Sequence, residues 1–237
     1  MYSTTSDDAM AVTIQHALER YLPHVADERI GVDESGKGDF FGPLVIAACY
    51  VGPEHYAELE GVQDSKKLTD KRALALAGGI KRTCPHAIVA IGPAKYNELY
   101  AKIGNLNKLL AWGHARAIED VLEKQPCELV ISDQFANPAG LKRALMKRGR
   151  QVRLVSKVRA EADLAVAAAS VLARAEFVHR LKRLGDEFGV ALPKGAGAQV
   201  DEAAARIIGK RGEDALGAVA KMHFKTVQKA RALAKGL

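Results

Sequence analysis

The sequence lacks the marks of export, of thiolate metal sites and of a membrane span. Its three cysteines, Cys49, Cys84 and Cys127, form no Cys-x-x-Cys pair and are odd in number. That excludes a disulfide framework and predicts reduced packing residues. No apolar run approaches the roughly 20 residues that cross a bilayer; the longest candidate, Pro43 to Val51, has strand length. The first eight residues hold neither the basic nor the apolar region of a secretory signal. Together these absences predict a cytoplasmic protein with no membrane association. No internal repeat, low-complexity tract or Pro/Ser-rich linker interrupts the chain, so one domain is the economical reading.

What is present is ordinary globular material: 237 residues, 48% hydrophobic and 27% charged, enough to bury a self-sufficient core. The formal net charge of +7 is unevenly spread. Residues 1–139 carry a net charge of −5 and residues 140–237 a net charge of +12. A basic half suits a polyanionic partner, because Lys and Arg that neutralise phosphates release condensed counterions. It equally suits a solvated, helix-rich surface, and charge alone does not choose between the two.

Asp7–Leu22 places Ala11, Ile14, Leu18 and Leu22 near helical spacing and predicts a short helix ended by Pro23. Arg29–Glu34, Pro43–Val51, Ala87–Ile91, Cys127–Asp133 and Gln151–Ser156 read as strands. The second is apolar almost throughout, as in a strand covered on both faces. Helical patterns fill Leu106–Leu122 and Pro138–Lys147, then nearly everything from Ala160 onward except near Gly189–Gly197. The pattern predicts an α/β fold: a mixed five-stranded sheet flanked by helices, with a helical C-terminal extension. The expected division is an N-terminal tail (1–28) and one domain (29–237).

The chemistry concentrates where carboxylates end apolar strands. Asp33 and Glu34 are adjacent, so alternation sends one of them toward the core. A buried, unpaired carboxylate is expensive, and a bound cation is the usual remedy. Gly36 and Gly38 let backbone amides approach a ligand, and Lys37 adds positive charge beside them. An ordinary strand end followed by a glycine turn would read the same way. Asp133 repeats the arrangement after Leu129–Ser132. Several carboxylates without a His/Cys set suit a hard cation, Mg²⁺ or Mn²⁺. Glu161 and Asp163 precede the apolar run Leu164–Ala173, where either metal binding or helix capping accounts for them.

The stretch Gly31-Val32-Asp33-Glu34-Ser35-Gly36-Lys37-Gly38-Asp39-Phe40-Phe41-Gly42-Pro43 resembles the opening motif of type 2 ribonucleases H. Its Gly-Lys-Gly form is similar to the ribonuclease HIII branch. Further similar motifs follow in order at Asp64–Leu68, Asn105–His114, Ser132–Phe135, Ala165–Ser170, Leu192–Ala196, Val200–Ala204 and His223–Thr226. The resemblance implies an RNase H-like fold and cleavage of the RNA strand of RNA/DNA hybrids with two divalent ions about 4 Å apart. It implies Asp33, Glu34 and Asp133 as metal-binding carboxylates. Arg159-Ala160-Glu161 matches the family's pattern for the fourth, with Asp163 as the competing position. It further implies that Ser35, Gly36, Lys37 and Gly38 test ribose 2′-hydroxyls, and that Lys66, Lys67 and the basic half position phosphates. Asn105 and Asn107 are expected substrate contacts, with an asparagine at a helix N-cap as the alternative. Trp112 and His114 are expected to pack in the core, and His223 and Phe224 to stitch the tail to the domain.

Two departures from the family shape the expectation. Ribonuclease HIII proteins usually carry a domain resembling the TATA-binding protein ahead of the catalytic motif, whereas 28 residues precede Arg29 here. Hybrid binding is then expected to rest more on the basic C-terminal half. The last tyrosine is Tyr100, so no C-terminal tyrosine matches the one used by ribonuclease HII enzymes at single-ribonucleotide junctions. Hybrid cleavage is therefore expected, by a monomer with no evident protein partner. The alternatives are cleavage at single ribonucleotides in duplex DNA and an inert hybrid-binding module.

Overall fold

Residues 28–133 and 137–236 are described by the structure, a computed structural model. The helix expected over Asp7–Leu22 and the motif residues Gln134 and Phe135 lie outside the described residues. Strands Arg29–Ser35 (β1), Leu44–Val51 (β2), His86–Ile91 (β3), Leu129–Asp133 (β4) and Arg153–Lys157 (β5) form one sheet in the order β3-β2-β1-β4-β5. The β1–β2 and β2–β3 pairs are antiparallel, and β1–β4 and β4–β5 are parallel, so the sheet is mixed as expected.

All eight residues of β2 are buried, and their alternation divides them between two cores. Leu44, Ile46 and Ala48 join Leu109, Leu110 and Ile118 of helix Leu106–Lys124 on one face. Val45, Ala47 and Cys49 join Ala168, Ala169 and Leu172 of helix Leu164–Phe188 on the other. The described helices are, in chain order, Asp70–Thr83 (α1), Pro93–Ile103 (α2), Leu106–Lys124 (α3), Pro138–Ala144 (α4), Leu164–Phe188 (α5), Ala198–Arg211 (α6), Glu213–Leu216 (α7) and Thr226–Ala234 (α8). None of them is long and apolar enough to cross a membrane.

Helices α1 and α2 lie outside the helical patterns expected from the sequence. The buried stripe of α1 is Ala73, Ala77 and Ile80 at helical spacing, while Gly78 and Gly79 beside it are poor helix formers. Its start is fixed instead by Thr69, whose Oγ1 accepts the Arg72 amide at 3.2 Å. The break expected in the tail is real: α5 ends at Gly189, which has φ +64°, and α6 starts at Ala198.

Helix α5 lies directly on β1. A Cβ at Gly31 would overlap the backbone of Ala165 and Val166, which explains a glycine mid-strand and the alanine-rich helix face. The same packing sets the site, because α5 runs along β1 and brings Ser170 beside Asp33. In the parallel β1–β4 pair Val32 opposes Ser132, so Asp33 and Asp133 emerge together at the strand ends.

Candidate active site

Strand alternation separates the two adjacent carboxylates of β1. Asp33 turns toward α5, where the Ser170 hydroxyl hydrogen-bonds it, and its Oδ1 accepts the Glu34 amide at 2.8 Å. Ser170 also shares a 2.6 Å hydroxyl contact with Ser65. Glu34 turns toward α3: its Oε2 lies 3.0 Å from His114 Nε2 and its Oε1 lies 3.5 Å from Lys37 Nζ. Asp133 Oδ1 accepts the Ala160 amide at 3.2 Å.

These surroundings drive the two carboxyls apart. Burial, then repulsion from Glu34 and Asp133, pushes Asp33 up to about 7 against the Glu34 amide and the Ser170 hydroxyl. Burial also acts upward on Glu34, but the His114 hydrogen bond and charge, with Lys37, hold it below the usual carboxylate range. Glu34 therefore has protein partners that favour its charged form, His114 and Lys37, which Asp33 lacks.

The carboxylates form the floor of a cleft of about 630 Å³ whose lining also includes Ser35, Gly36, Lys37, Gly38 and Lys66. Gly36 is required by the fold: φ is +86° and a Cβ would overlap the Pro43 carbonyl. Gly38 is exposed, has no positive φ, and a Cβ there would meet nothing within 4 Å. Its missing side chain leaves room at the cleft mouth.

Two rim residues, and the aspartate behind them, were not singled out in the sequence. Arg174, one turn beyond Ser170 on α5, donates to the Ser65 carbonyl and, through Nε and Nη2, to Asp70 Oδ1 at 3.1 and 2.8 Å. Lys194 donates to Asp70 Oδ2 at 2.7 Å. Asp70, held below its ordinary range by Lys194 and Arg174 against the upward pull of burial, aligns both cations beside the carboxylates. The only sequence signal was indirect: Arg174 follows the Ala165–Ser170 motif and Lys194 lies within the Leu192–Ala196 motif.

Other expected site residues lie elsewhere. Lys67 is exposed and does not line the cleft. Asn105 caps α3, its Oδ1 accepting the Lys108 amide at 3.1 Å, and with Asn107 and Arg143 it lines a separate groove of about 470 Å³. Trp112 corrects the expectation of core packing: it is 42% exposed, since it falls on the outer face of α3. His114 is fully buried as expected, but its role is polar, hydrogen-bonding to Glu34. Phe224 packs edge-on against Phe40, and His223 stacks on Tyr100, which ties the tail to the domain.

The two candidates for the fourth carboxylate differ sharply in their commitments. Asp163 caps α5, with Oδ1 accepting the Ala165 and Val166 amides at 2.9 and 3.3 Å, and Oδ2 pairs with buried Arg29 at 2.6 Å. Both oxygens are used, at the opposite end of β1 from Asp33. Glu161 is half-buried in a single turn, Ala160–Ala162, held near Asp133 by the Ala160 amide.

The basic excess is likewise partly committed. On α5, Arg180, Lys182 and Arg183 pair with Glu176, Asp186 and Glu187 one turn away, and Arg231 pairs with Glu213. From the C-terminal half, Arg174 and Lys194 are the Lys and Arg residues that reach the cleft.

Among the described residues, no group of three or more His, Cys, Asp or Glu side chains stands already arranged to hold a metal ion. Glu34 is drawn to His114 and Lys37, and Asp133 to the Ala160 amide. The donor chemistry nevertheless fits a hard divalent cation: oxygen ligands only, converging on a floor where Asp33 has too little positive charge around it.

The profile of the Ribonuclease HII family matches residues 30–227. The chain is 48% identical over 200 residues to Ribonuclease HIII of Protochlamydia amoebophila, covering 84% of this chain and 66% of that one. It is also 48% identical over 203 residues to Ribonuclease HIII of Chlamydia abortus, covering 84% and 68%. The chain thus spans about two thirds of the length of these relatives. Among solved structures it is similar to Bst-RNase HIII in complex with Mn²⁺, with a TM-score of 0.84 and 38% identity over 91% of this chain and 73% of that one.

Proposed function

This chain belongs to the ribonuclease HII family, and on that premise we propose that it is a divalent-metal-dependent endonuclease that hydrolyses the RNA strand of RNA/DNA hybrids. The observation that carries the reading is the cleft itself, an acidic floor of Asp33, Glu34 and Asp133 inside a basic rim of Lys37, Lys66, Arg174 and Lys194. A rim alone would bind phosphates; the floor gains nothing for a simple binding module and has a use only with cations. Asp33, Glu34 and Asp133, with Glu161 as the fourth carboxylate, would hold Mg²⁺ or Mn²⁺. The chemistry such cations supply when bound is activation of water and neutralisation of charge on the phosphodiester.

The protein's own groups do the rest. Lys66, Arg174 and Lys194 fix the backbone phosphates on either side of the cleaved bond, and Asp70 keeps the last two from rotating into solvent. His114 orients Glu34. The Gly36–Gly38 backbone lies where a ribose can approach it, and the 2′-hydroxyl is the group that distinguishes RNA from DNA. Gly38→Ala is accordingly expected to leave stability within about 0.5 kcal/mol of the wild type. Hybrid cleavage should fall about tenfold or more, because the added methyl occupies the approach path. Thermal melts and initial rates on one preparation check both halves.

The assignment of Glu161 is tested against Asp163. Glu161→Gln should lower cleavage by orders of magnitude at unchanged melting temperature. Asp163→Ala should destabilise by about 3 kcal/mol or more, since it removes a cap and strands a buried arginine. Its folded fraction should still cleave; the reverse pattern would exchange the two roles.

The reading as a whole is tested with a long RNA/DNA hybrid and a DNA duplex holding one ribonucleotide, each with Mg²⁺ and with Mn²⁺. Cleavage of the first over the second is expected. Asp133→Asn should retain hybrid binding and lose cleavage. Preference for the single-ribonucleotide duplex would make the enzyme junction-specific, and binding without cleavage under any metal would make it a binding module.

A further inference from the structure

Lys221 is fully buried, one of the largest side chains in the interior with no exposed surface. Placing an ammonium there costs several kcal/mol unless oxygen acceptors surround it. The acceptors are all backbone. Its Nζ donates to the carbonyls of Asp39 and Gly42 at 2.8 Å each and of Phe41 at 3.5 Å. The Lys221 amide donates to the remaining carbonyl, that of Phe40, at 2.9 Å. One residue therefore collects all four carbonyls from Asp39 to Gly42.

That turn is the downstream anchor of the glycine loop. Its upstream end is fixed by β1, but between Gly36 and Gly42 the chain has no strand or helix of its own. The turn is also joined to the Lys194 segment, because Asp39 Oδ1 accepts the Gly195 amide at 2.6 Å and the Phe40 amide donates to the Gly195 carbonyl at 2.9 Å. From the other side, Asn97 of α2 holds the Lys221 segment, donating to the Gly217 and Ala220 carbonyls and accepting the Met222 amide. These three hydrogen bonds of Asn97 all go to the C-terminal segment and none to the turn.

We propose that Lys221 is a positioning residue for the hybrid-cleaving site: its ammonium fixes the Asp39–Gly42 turn and, through it, both the Gly36–Gly38 backbone and the Lys194 segment. The proposal rests on the nuclease reading for its consequence in catalysis, but not for its consequence in loop order. A lysine is suited to this task because three donors on one point charge can gather three carbonyls that a neutral side chain could not.

The test compares full-length wild type with Lys221→Met, Lys221→Gln and Asn97→Ala. Amide hydrogen exchange is read over residues 35–42 and 193–196, and kcat and KM are read on a hybrid. Lys221→Met should speed exchange in both segments at least tenfold and lower kcat/KM about 10- to 100-fold, carried mainly by KM. Lys221→Gln, which keeps two donors, should recover part of each effect. Asn97→Ala loosens the segment that carries Lys221 without removing its donors, and should lower the melting temperature while raising KM clearly less than Lys221→Met does. Wild-type exchange and KM in the Lys221 variants would overturn the proposal, as would an equal rise in KM for Asn97→Ala. If Lys221→Met does not fold, the glutamine variant carries the same comparison. A wild-type protein that cleaves no hybrid would sink the nuclease reading instead, and the exchange data would still decide whether Lys221 orders the loop.

Discussion

Asp33→Asn is expected to abolish hybrid cleavage while making the metal-free protein more stable. A bound cation contributes several kcal/mol of charge stabilisation in the transition state. Losing a ligand that holds it at the reacting phosphate should lower the rate about 10³-fold or more. Stability moves the other way because of where Asp33 titrates. Its carboxyl lies at about 7 in the folded protein, against 3.8 for an ordinary aspartate. Below about pH 4 both folded and unfolded chains carry the proton, and Asp33 has no effect on stability. Between about 4 and 7 the unfolded chain loses that proton first, so stability falls as pH rises. Above 7 the whole penalty stands, on the order of 4 kcal/mol. Asparagine has no charge to bury and removes the decline. Urea unfolding at pH 5 and pH 8, in EDTA and in Mg²⁺, reads this directly. Wild type should gain from Mg²⁺ at pH 8 and the variant much less. A variant that still cleaves, or one no more stable than wild type in EDTA at pH 8, would contradict the placement of Asp33.

Gly31→Ala is expected to be the most damaging small substitution in the sheet. The new methyl would fall on the backbone of Ala165 and Val166, which cannot rotate away as a side chain can. Forcing α5 off β1 should cost about 3 kcal/mol or more, a drop in melting temperature of roughly 10 °C for a chain of this size. Since α5 carries Ser170 and Arg174, activity at a temperature where the variant is still folded should fall as well. A melting temperature within 2 °C of wild type, by the same scaling, would show that the helix can lift without penalty.

The sheet was legible in the sequence because its strands are short apolar runs bounded by turns, and β2 declared its double burial by having no polar face. Helix α1 was not, since Gly78 and Gly79 are poor helix formers, although Ala73, Ala77 and Ile80 keep helical spacing. The carboxylates Asp33, Glu34 and Asp133 stood out because charge at the end of an apolar strand conflicts with burial. The commitment of Asp163 to Arg29 could not be read from spacing, because the two lie 134 positions apart in sequence. The burial of His114 was expected, but its polar partner was not, for a related reason. Among Leu109, Leu110 and Ala111 it looks like packing, and only the fold brings the Glu34 carboxylate, 80 residues distant, to its ring. Lys221, too, has nothing local to distinguish it from a surface lysine.

Consecutive residues of one strand deliver the two carboxylates to opposite layers, Asp33 against α5 and Glu34 against α3. The site is consequently a seam between two independently packed cores, and its alignment is the sum of the tolerances of both. A volume change in either layer, far from the cleft, shifts one carboxylate relative to the other without touching either. The alternating side chains of β2 (Leu44 and Ile46 on one face, Val45 and Ala47 on the other) are what register the two layers. That strand bears none of the proposed ligands, yet it works as the gauge block against which both halves of the site are set.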